Sequence, residues 1–141
     1  MRSQTSSLMV SLSQLADADS LAFQSYLEAS ALPQATEAEK ATRNTAKEAS
    51  LVCATRVPLE AAVEMGRGLE TAEAATGLVD AHVRSEVSVG GMLLRASIRS
   101  VLLNVDANLP GISDASLRSA LKQQRDELER ALTALGDSGR H

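Results

Sequence analysis

The stretch Ala54-Thr-Arg-Val-Pro-Leu-Glu-Ala-Ala-Val-Glu-Met-Gly-Arg-Gly-Leu69, running on to Ala75, decides the fold. Counting 100° per residue from Val52, the residues Leu59, Val63 and Gly66 stay near one line, the period of a helical face turned toward a core. Glu60, Glu64, Arg67 and Thr71 form a separate polar stripe, and Val57, Ala61, Gly68, Ala72 and Ala75 form a third face of small residues. A helix that can pack closely on two sides and shows charge only between them is the central helix of a bundle. Pro58 lies inside it. A proline there has no N–H to donate and crowds the preceding turn, which costs about 3 kcal/mol in an ordinary helix interior. A kink or helix junction is therefore predicted near Val57, and the carbonyl near Ala54 is left to accept from something outside its own helix.

Composition limits what surrounds this helix. Hydrophobic residues make up 44% of the 141, yet Phe23 and Tyr26 are the only aromatics, so the core is built from Leu, Val, Ile and Ala. That predicts an all-α protein, an antiparallel bundle of four to five helices in one domain over residues 1–141. A net charge of -4 and the lack of an aromatic platform argue against nucleic acid as a partner. No run approaches ~18 apolar residues and the start lacks a signal-peptide core, so no membrane partner and a cytoplasmic location are expected. Cys53 is alone, which excludes an internal disulfide, and its apolar and small neighbours predict a buried, inert thiol. His82 has no second ligand at a metal-binding spacing, and no GxGxxG, P-loop, GxSxG, HExxH or CxxC pattern occurs, so no metal is expected.

Upstream of the central segment, a first helix is predicted from Ser3 to Ala29, with Leu8, Leu12, Leu15, Ala22, Phe23 and Tyr26 on one face. Asp19 falls in the middle of that face and Asp17 on the opposite side. A carboxylate on an apolar stripe is costly unless it is paired or opens onto a polar cavity. Asp19 thus reads either as a group held for chemistry or as a half-exposed residue of a short bundle. Pro33 breaks the chain, and Thr36-Glu-Ala-Glu39 has capping-box spacing for a second helix whose Lys40, Arg43 and Lys47 make a basic, solvated side.

Downstream, Thr76–Arg84 lacks a period and reads as a loop. A third helix from Ser85 to about Asn108 carries Val87, Leu94, Ile98, Val101 and Val105 on its apolar face. Along one edge run Glu86, Gly90, Leu93, Ser97, Asn104 and Asn108, small and polar groups at helical spacing. Such an edge suits a ligand-lined groove or polar glue between helices. Pro110-Gly111 ends the helix. The last helix, capped by Ser113 or Asp114, is predicted to bury Leu117, Leu121, Leu128, Ala131, Leu132 and Leu135. Arg125 with Glu129 and Asp126 with Arg130, both at i,i+4, give it an ordinary solvated outer face. The tail from Gly136 is expected to fray.

Taken together, Asp17-Ala-Asp19-Ser-Leu-Ala-Phe23, Leu32-Pro33, Glu39-Lys40-Ala-Thr-Arg43, Ala54-Thr-Arg-Val-Pro-Leu59, Ser85-Glu86 and Asn104-Val-Asp-Ala-Asn108-Leu109 resemble, in order and spacing, the cyclodeaminase/cyclohydrolase family. This family contains the C-terminal domain of formiminotransferase-cyclodeaminase and the methenyltetrahydrofolate cyclohydrolases. The resemblance spans roughly Leu8 to Asp114 and implies a dimeric, all-helical protein of folate one-carbon metabolism. Its substrate would be a tetrahydrofolate derivative, which either loses ammonia from a formimino group or is hydrated at a methenyl bridge. On this resemblance Asp19 and Glu86 are the candidate catalytic residues, and Arg56, Ser85, Asn104 and Asn108 the candidate substrate-binding residues. Two departures accompany it. The family's first helix and its Pro-Gly-Gly-Gly-Ser segment would lie before Met1, and a Ser-Asp pattern is here Ser85-Glu86, which moves the carboxylate out by a methylene. The resemblance therefore implies a shortened member with weak catalysis, or a non-catalytic folate-binding or accessory helical subunit.

Overall fold

A computed structural model of the chain describes residues 2–137. Four α-helices, and no strand among the described residues, follow one another: α1 (Arg2–Ala31), α2 (Glu37–Thr76), α3 (Ala81–Asn108) and α4 (Ala115–Asp137), with a 3-10 turn at Leu109–Gly111 before α4. The all-α bundle read from composition is the architecture observed. The expected frayed tail from Gly136 falls largely outside the described residues.

The 40-residue α2 is the axis. Its start follows from local chemistry, because Thr36 Oγ1 accepts the Glu39 N–H at 3.2 Å while Glu39 Oε2 accepts the Thr36 N–H at 2.9 Å, which satisfies donors that the first turn would otherwise leave orphaned. The junction predicted near Val57 does not occur, since the helix runs unbroken through Pro58. The basic segment and the proline segment, read separately in the sequence, are one element. Tertiary burial of Pro58, Leu59, Ala62, Met65 and Leu69 outweighs the local cost of the imino acid.

The core forms where α2, α3, the 3-10 turn and α4 converge. Leu59, Ala62 and Leu69 meet Ile98, Leu102 and Val105, closed by Leu109, Ile112, Leu121 and Leu132. Leu69, Leu102 and Ile112 are fully enclosed, each contributing about 1.5–3 kcal/mol from burial. The buried face of α2 is rotated from the predicted one, for Val63 is 40% exposed. A Cβ at Gly111 would lie 2.7 Å from Leu51 Cδ2, so a larger residue there would have to displace the Leu51 side chain.

Among the described residues helix α1 packs on α2 alone, so its buried strip is narrow. Ala22 and Ala29 are buried, Leu8, Leu12, Leu15 and Tyr26 are half-buried, and Phe23 is 59% exposed, against expectation. Arg43 fixes the end of α1 by donating from Nε and an η nitrogen to the Ser30 carbonyl, at 3.1 and 3.0 Å. The expected loop at Thr76–Arg84 is only the four-residue link 77–80. Asp80 presents its carbonyl to Val83 and Arg84 N–H groups and α3 starts at once.

Helix α4 is held at both ends and in the middle. Glu48 on α2 accepts the N–H groups of Ser113 and Asp114 at 2.7 and 3.3 Å. Arg125 forms a two-pronged pair with Asp106 of α3, both contacts 2.8 Å, so its side is not merely solvated as the i,i+4 pattern suggested. Asp126 pairs with Lys122 rather than with the Arg130 side chain. At the far end Arg95 of α3 bridges Glu73 and the Leu132 and Leu135 carbonyls.

Candidate functional site

Because α1 and α4 cover different flanks of α2, a seam between them stays open. Cys53, Arg56, Glu60, Val63, Arg67 and Glu70, spaced by three or four residues, are all exposed along it. Cys53 is thus at the surface and not buried as its neighbours suggested. On the α4 side a groove of about 440 Å³ lies between Arg56, Leu59, Glu60 and Val63 and the α4 residues Gln124, Glu127, Leu128 and Ala131. On the α1 side a second, of about 540 Å³, is walled by Ser11, Gln14, Leu15 and Ala18 and shares Glu60 and Val63 with the first. The two halves make one trough across α2.

Contacts between helices fix their register. The Lys47 ammonium lies 5.7 Å from the centre of the Tyr26 ring, a cation–π distance, and Arg43 reaches Ser30, so α1 runs antiparallel to α2. Stepping back along α1 brings Asp19 to the height of the Pro58 turn. On the other flank, Asn108 Nδ2 donates to the Ala54 carbonyl at 3.1 Å, which puts Asn104, one turn earlier, at the same height. Arg56 belongs to that turn. Asp19, Arg56, Asn104 and Asn108 are thus at similar heights along the bundle but on different flanks of α2, and of the four only Arg56 lines the trough.

Ser85 and Glu86 are not. Eighteen residues of helix separate Glu86 from Asn104, about 27 Å at 1.5 Å per residue, and Gly91 packing on Leu69 puts Glu86 near the C-terminal end of α2. Asp19, Ser85, Glu86 and Asn104 are exposed, and Asn108 is half-buried. The premise that Asp19 sits within a buried apolar stripe is corrected: with a single neighbouring helix, the stripe does not extend around α1 far enough to enclose it.

The side chains of Arg56, Glu60 and Gln124 make no hydrogen bond or ion pair among the described residues. Their neighbours do: Arg67 pairs with Glu64 at 2.6 Å, and Glu127 accepts from Gln123 Nε2 at 3.0 Å. Glu60 was visible in the sequence only as part of a polar stripe, and Gln124 and Glu127 were not singled out. The missing information was which side of α2 the other helices leave open. Among the described residues no group of three or more His, Cys, Asp or Glu side chains is placed to hold a metal ion, and no helix is long and apolar enough to cross a membrane.

The family model for formiminotransferase-cyclodeaminase matches residues 1–127 of this chain. Formimidoyltransferase-cyclodeaminase of Gallus gallus is 31% identical over 109 residues, which cover 77% of this chain and 20% of that protein. The chain belongs to the formiminotransferase-cyclodeaminase family, through its C-terminal, cyclodeaminase-like part. It spans about a fifth of the length of the curated relative.

Proposed function

We propose that this protein binds a tetrahydrofolate one-carbon derivative in the trough across α2 and acts as a cyclodeaminase- or cyclohydrolase-like protein of folate metabolism. Family membership points to the metabolism. The observation that carries the placement is the unpaired Arg56 beside Glu60 and Gln124 over an apolar floor. Small-molecule sites combine such a floor with a few convergent polar groups. Either reaction works on a cationic, amidine-like carbon. Hydration adds water there and needs a base for the proton, whereas deamination closes the ring and needs a proton for the departing ammonia. Asp19, at the height of Arg56, is the proton-transfer group proposed for this chain. Asn104 and Asn108 are at the same level but on the α3 side of α2, where Asn108 donates to Ala54, and line neither half of the trough, so they would serve it only from a second copy.

Glu86 and Ser85 lie too far along α3 to join Asp19 within one chain, so they serve the site only if a second copy brings them. Self-association is part of the proposal, because Met9, Phe23, Met92, Leu93 and Leu103 are each at least 59% exposed, an apolar surface unusual for a small monomer. A cytoplasmic location is proposed with it. The distance between the two candidate catalytic carboxylates also favours a second reading, a folate-binding subunit without turnover. Calorimetric titration with 5-formyltetrahydrofolate tests the first claim: saturable binding is expected, and none would remove folate altogether. Following methenyltetrahydrofolate absorbance separates the two readings, since acceleration above the buffer rate that is lost in Asp19→Asn requires catalysis.

A further inference from the structure

We propose that the α2–α4 half of the trough holds the pteridine ring, with Glu60 and Arg56 together recognising its pyrimidine edge; this rests on the folate reading above. Arg56 and Glu60 carry opposite charges one helical turn apart and line the same groove. Nevertheless they do not pair, although Arg67 with Glu64, Arg95 with Glu73 and Arg125 with Asp106 all do. Their donors and acceptors are therefore available together, on one face of a rigid helix.

A 2-amino-4-oxopyrimidine edge offers an acceptor, O4, followed by two donors, N3–H and the 2-amino group. A carboxylate accepts two parallel N–H bonds and a guanidinium donates to a carbonyl oxygen, so a Glu and an Arg side by side complement the whole row. Charge-assisted bonds of this kind are the strong ones, and they fix orientation as well as affinity. Leu59 and Val63 on α2 and Leu128 and Ala131 on α4 supply apolar surface for the two faces of the ring. The α1 half of the trough, which meets this groove at Glu60 and Val63, is then the room left for the arm carrying the p-aminobenzoyl group. The site selects for intact 2-amino-4-oxo pteridines whatever one-carbon unit they bear.

The test is a ligand–protein cycle by calorimetry, using 5-formyltetrahydrofolate and its analogue with the 2-amino group replaced by methyl. Glu60→Gln is expected to weaken binding of the parent by about ten- to a hundredfold, the range for losing hydrogen bonds to a charged group. The analogue, which keeps N3–H but lacks the 2-amino donor, is expected to bind the unaltered protein more weakly, and Glu60→Gln to weaken it by a clearly smaller factor than it weakens the parent. Glu70→Gln, on the same helix outside this groove, is expected to change neither affinity, and thermal melts of both variants to match the parent. An equal effect of Glu60→Gln on both ligands, or no effect on either, overturns the ring placement while leaving folate binding intact. No binding of 5-formyltetrahydrofolate to the unaltered protein overturns both.

Discussion

Asn108 Nδ2 lies 3.1 Å from the carbonyl oxygen of Ala54, the acceptor that a proline four residues on deprives of its intrahelical donor. The imino acid on α2 and the amide on α3 are thus complementary: one removes a hydrogen bond and the other supplies it from across the interface. Asn108→Ala is expected to lower stability by about 1–2 kcal/mol, since the half-buried carbonyl loses its partner. Pro58→Ala returns an N–H to the helix ladder, so the same Asn108→Ala change in that background is expected to cost less than half as much. Urea unfolding of the four proteins measures the coupling, and equal costs in both backgrounds would contradict it.

That relationship shows how far the sequence could be read. Pro58 announced an orphaned carbonyl near Ala54, and Asn108 was singled out on a polar edge, but nothing in their spacing joined residues 54 apart. The helical period gave the elements because each helix answers to its own residues. Thr36 and Glu39 specified a cap that needs no tertiary partner, and it is present as read. Exposure is different, since it depends on which neighbours are absent. Asp19, Phe23, Cys53 and Val63 all looked more enclosed than they are, because the pattern shows that a face is apolar and not whether a helix covers it. The same gap hid Gln124 and Glu127.

Asp19 is exposed on α1 and forms no ion pair among the described residues. Asp19→Asn is therefore expected to change stability by less than about 0.5 kcal/mol, as ordinary surface substitutions do. Its effect should be confined to turnover. A large drop in melting temperature would instead make Asp19 a structural partner and remove it from the site.

Arg95 joins three elements, pairing with Glu73 on α2 and donating to the Leu132 and Leu135 carbonyls of α4. Those carbonyls lie in the last turns of α4, where a helix carries partial negative charge, so the guanidinium meets both a carboxylate and a helix end. Arg95→Met keeps the stem and removes the head, with an expected loss of about 1–2 kcal/mol after allowing for partial exposure. Arg95→Lys should recover only part of this, because one ammonium lacks the planar fork that spans the three acceptors. Hydrogen exchange should quicken in the last turns of α4 and remain slow around Leu59–Leu69. Uniform protection throughout would contradict the clamp.

Glu48 gives the fold an acid-sensitive attachment. Desolvation pushes its carboxyl upward, but N–H groups of Asp114 and Ser113, with the Ser113 side chain, outweigh that and hold it below its ordinary value of 4.5. A carboxylate with a depressed folded-state pKa adds stability that is complete above the unfolded value and fades as pH falls through the folded one. The Glu48 contribution should begin to fade as pH falls below 4.5, and that of Asp126, which Lys122 holds below its ordinary 3.8, only at lower pH. Glu48→Gln is expected to flatten the fall in melting temperature between pH 5 and pH 3 without abolishing it. An unchanged slope would show that the α4 attachment does not titrate.

The outer face of α3 carries the prediction about assembly. Val89, Met92, Leu93 and Leu103 are 54%, 66%, 64% and 69% exposed, and their spacing puts them on one side of the helix, away from Ile98, Leu102 and Val105 in the core. Water contact with exposed apolar surface is unfavourable at about 25 cal/mol per Å², and a second copy presenting the same face relieves it on both partners at once. Leu93→Glu places a charge at the middle of this patch, where burial against a like charge across a twofold axis is strongly opposed. Light scattering after size exclusion is expected to show a dimer for the parent chain at tens of micromolar and a monomer for Leu93→Glu, with unchanged helical content by circular dichroism. A parent chain that runs as a monomer would refute self-association, and a Leu93→Glu variant that remains dimeric would move the interface to the exposed residues of α1.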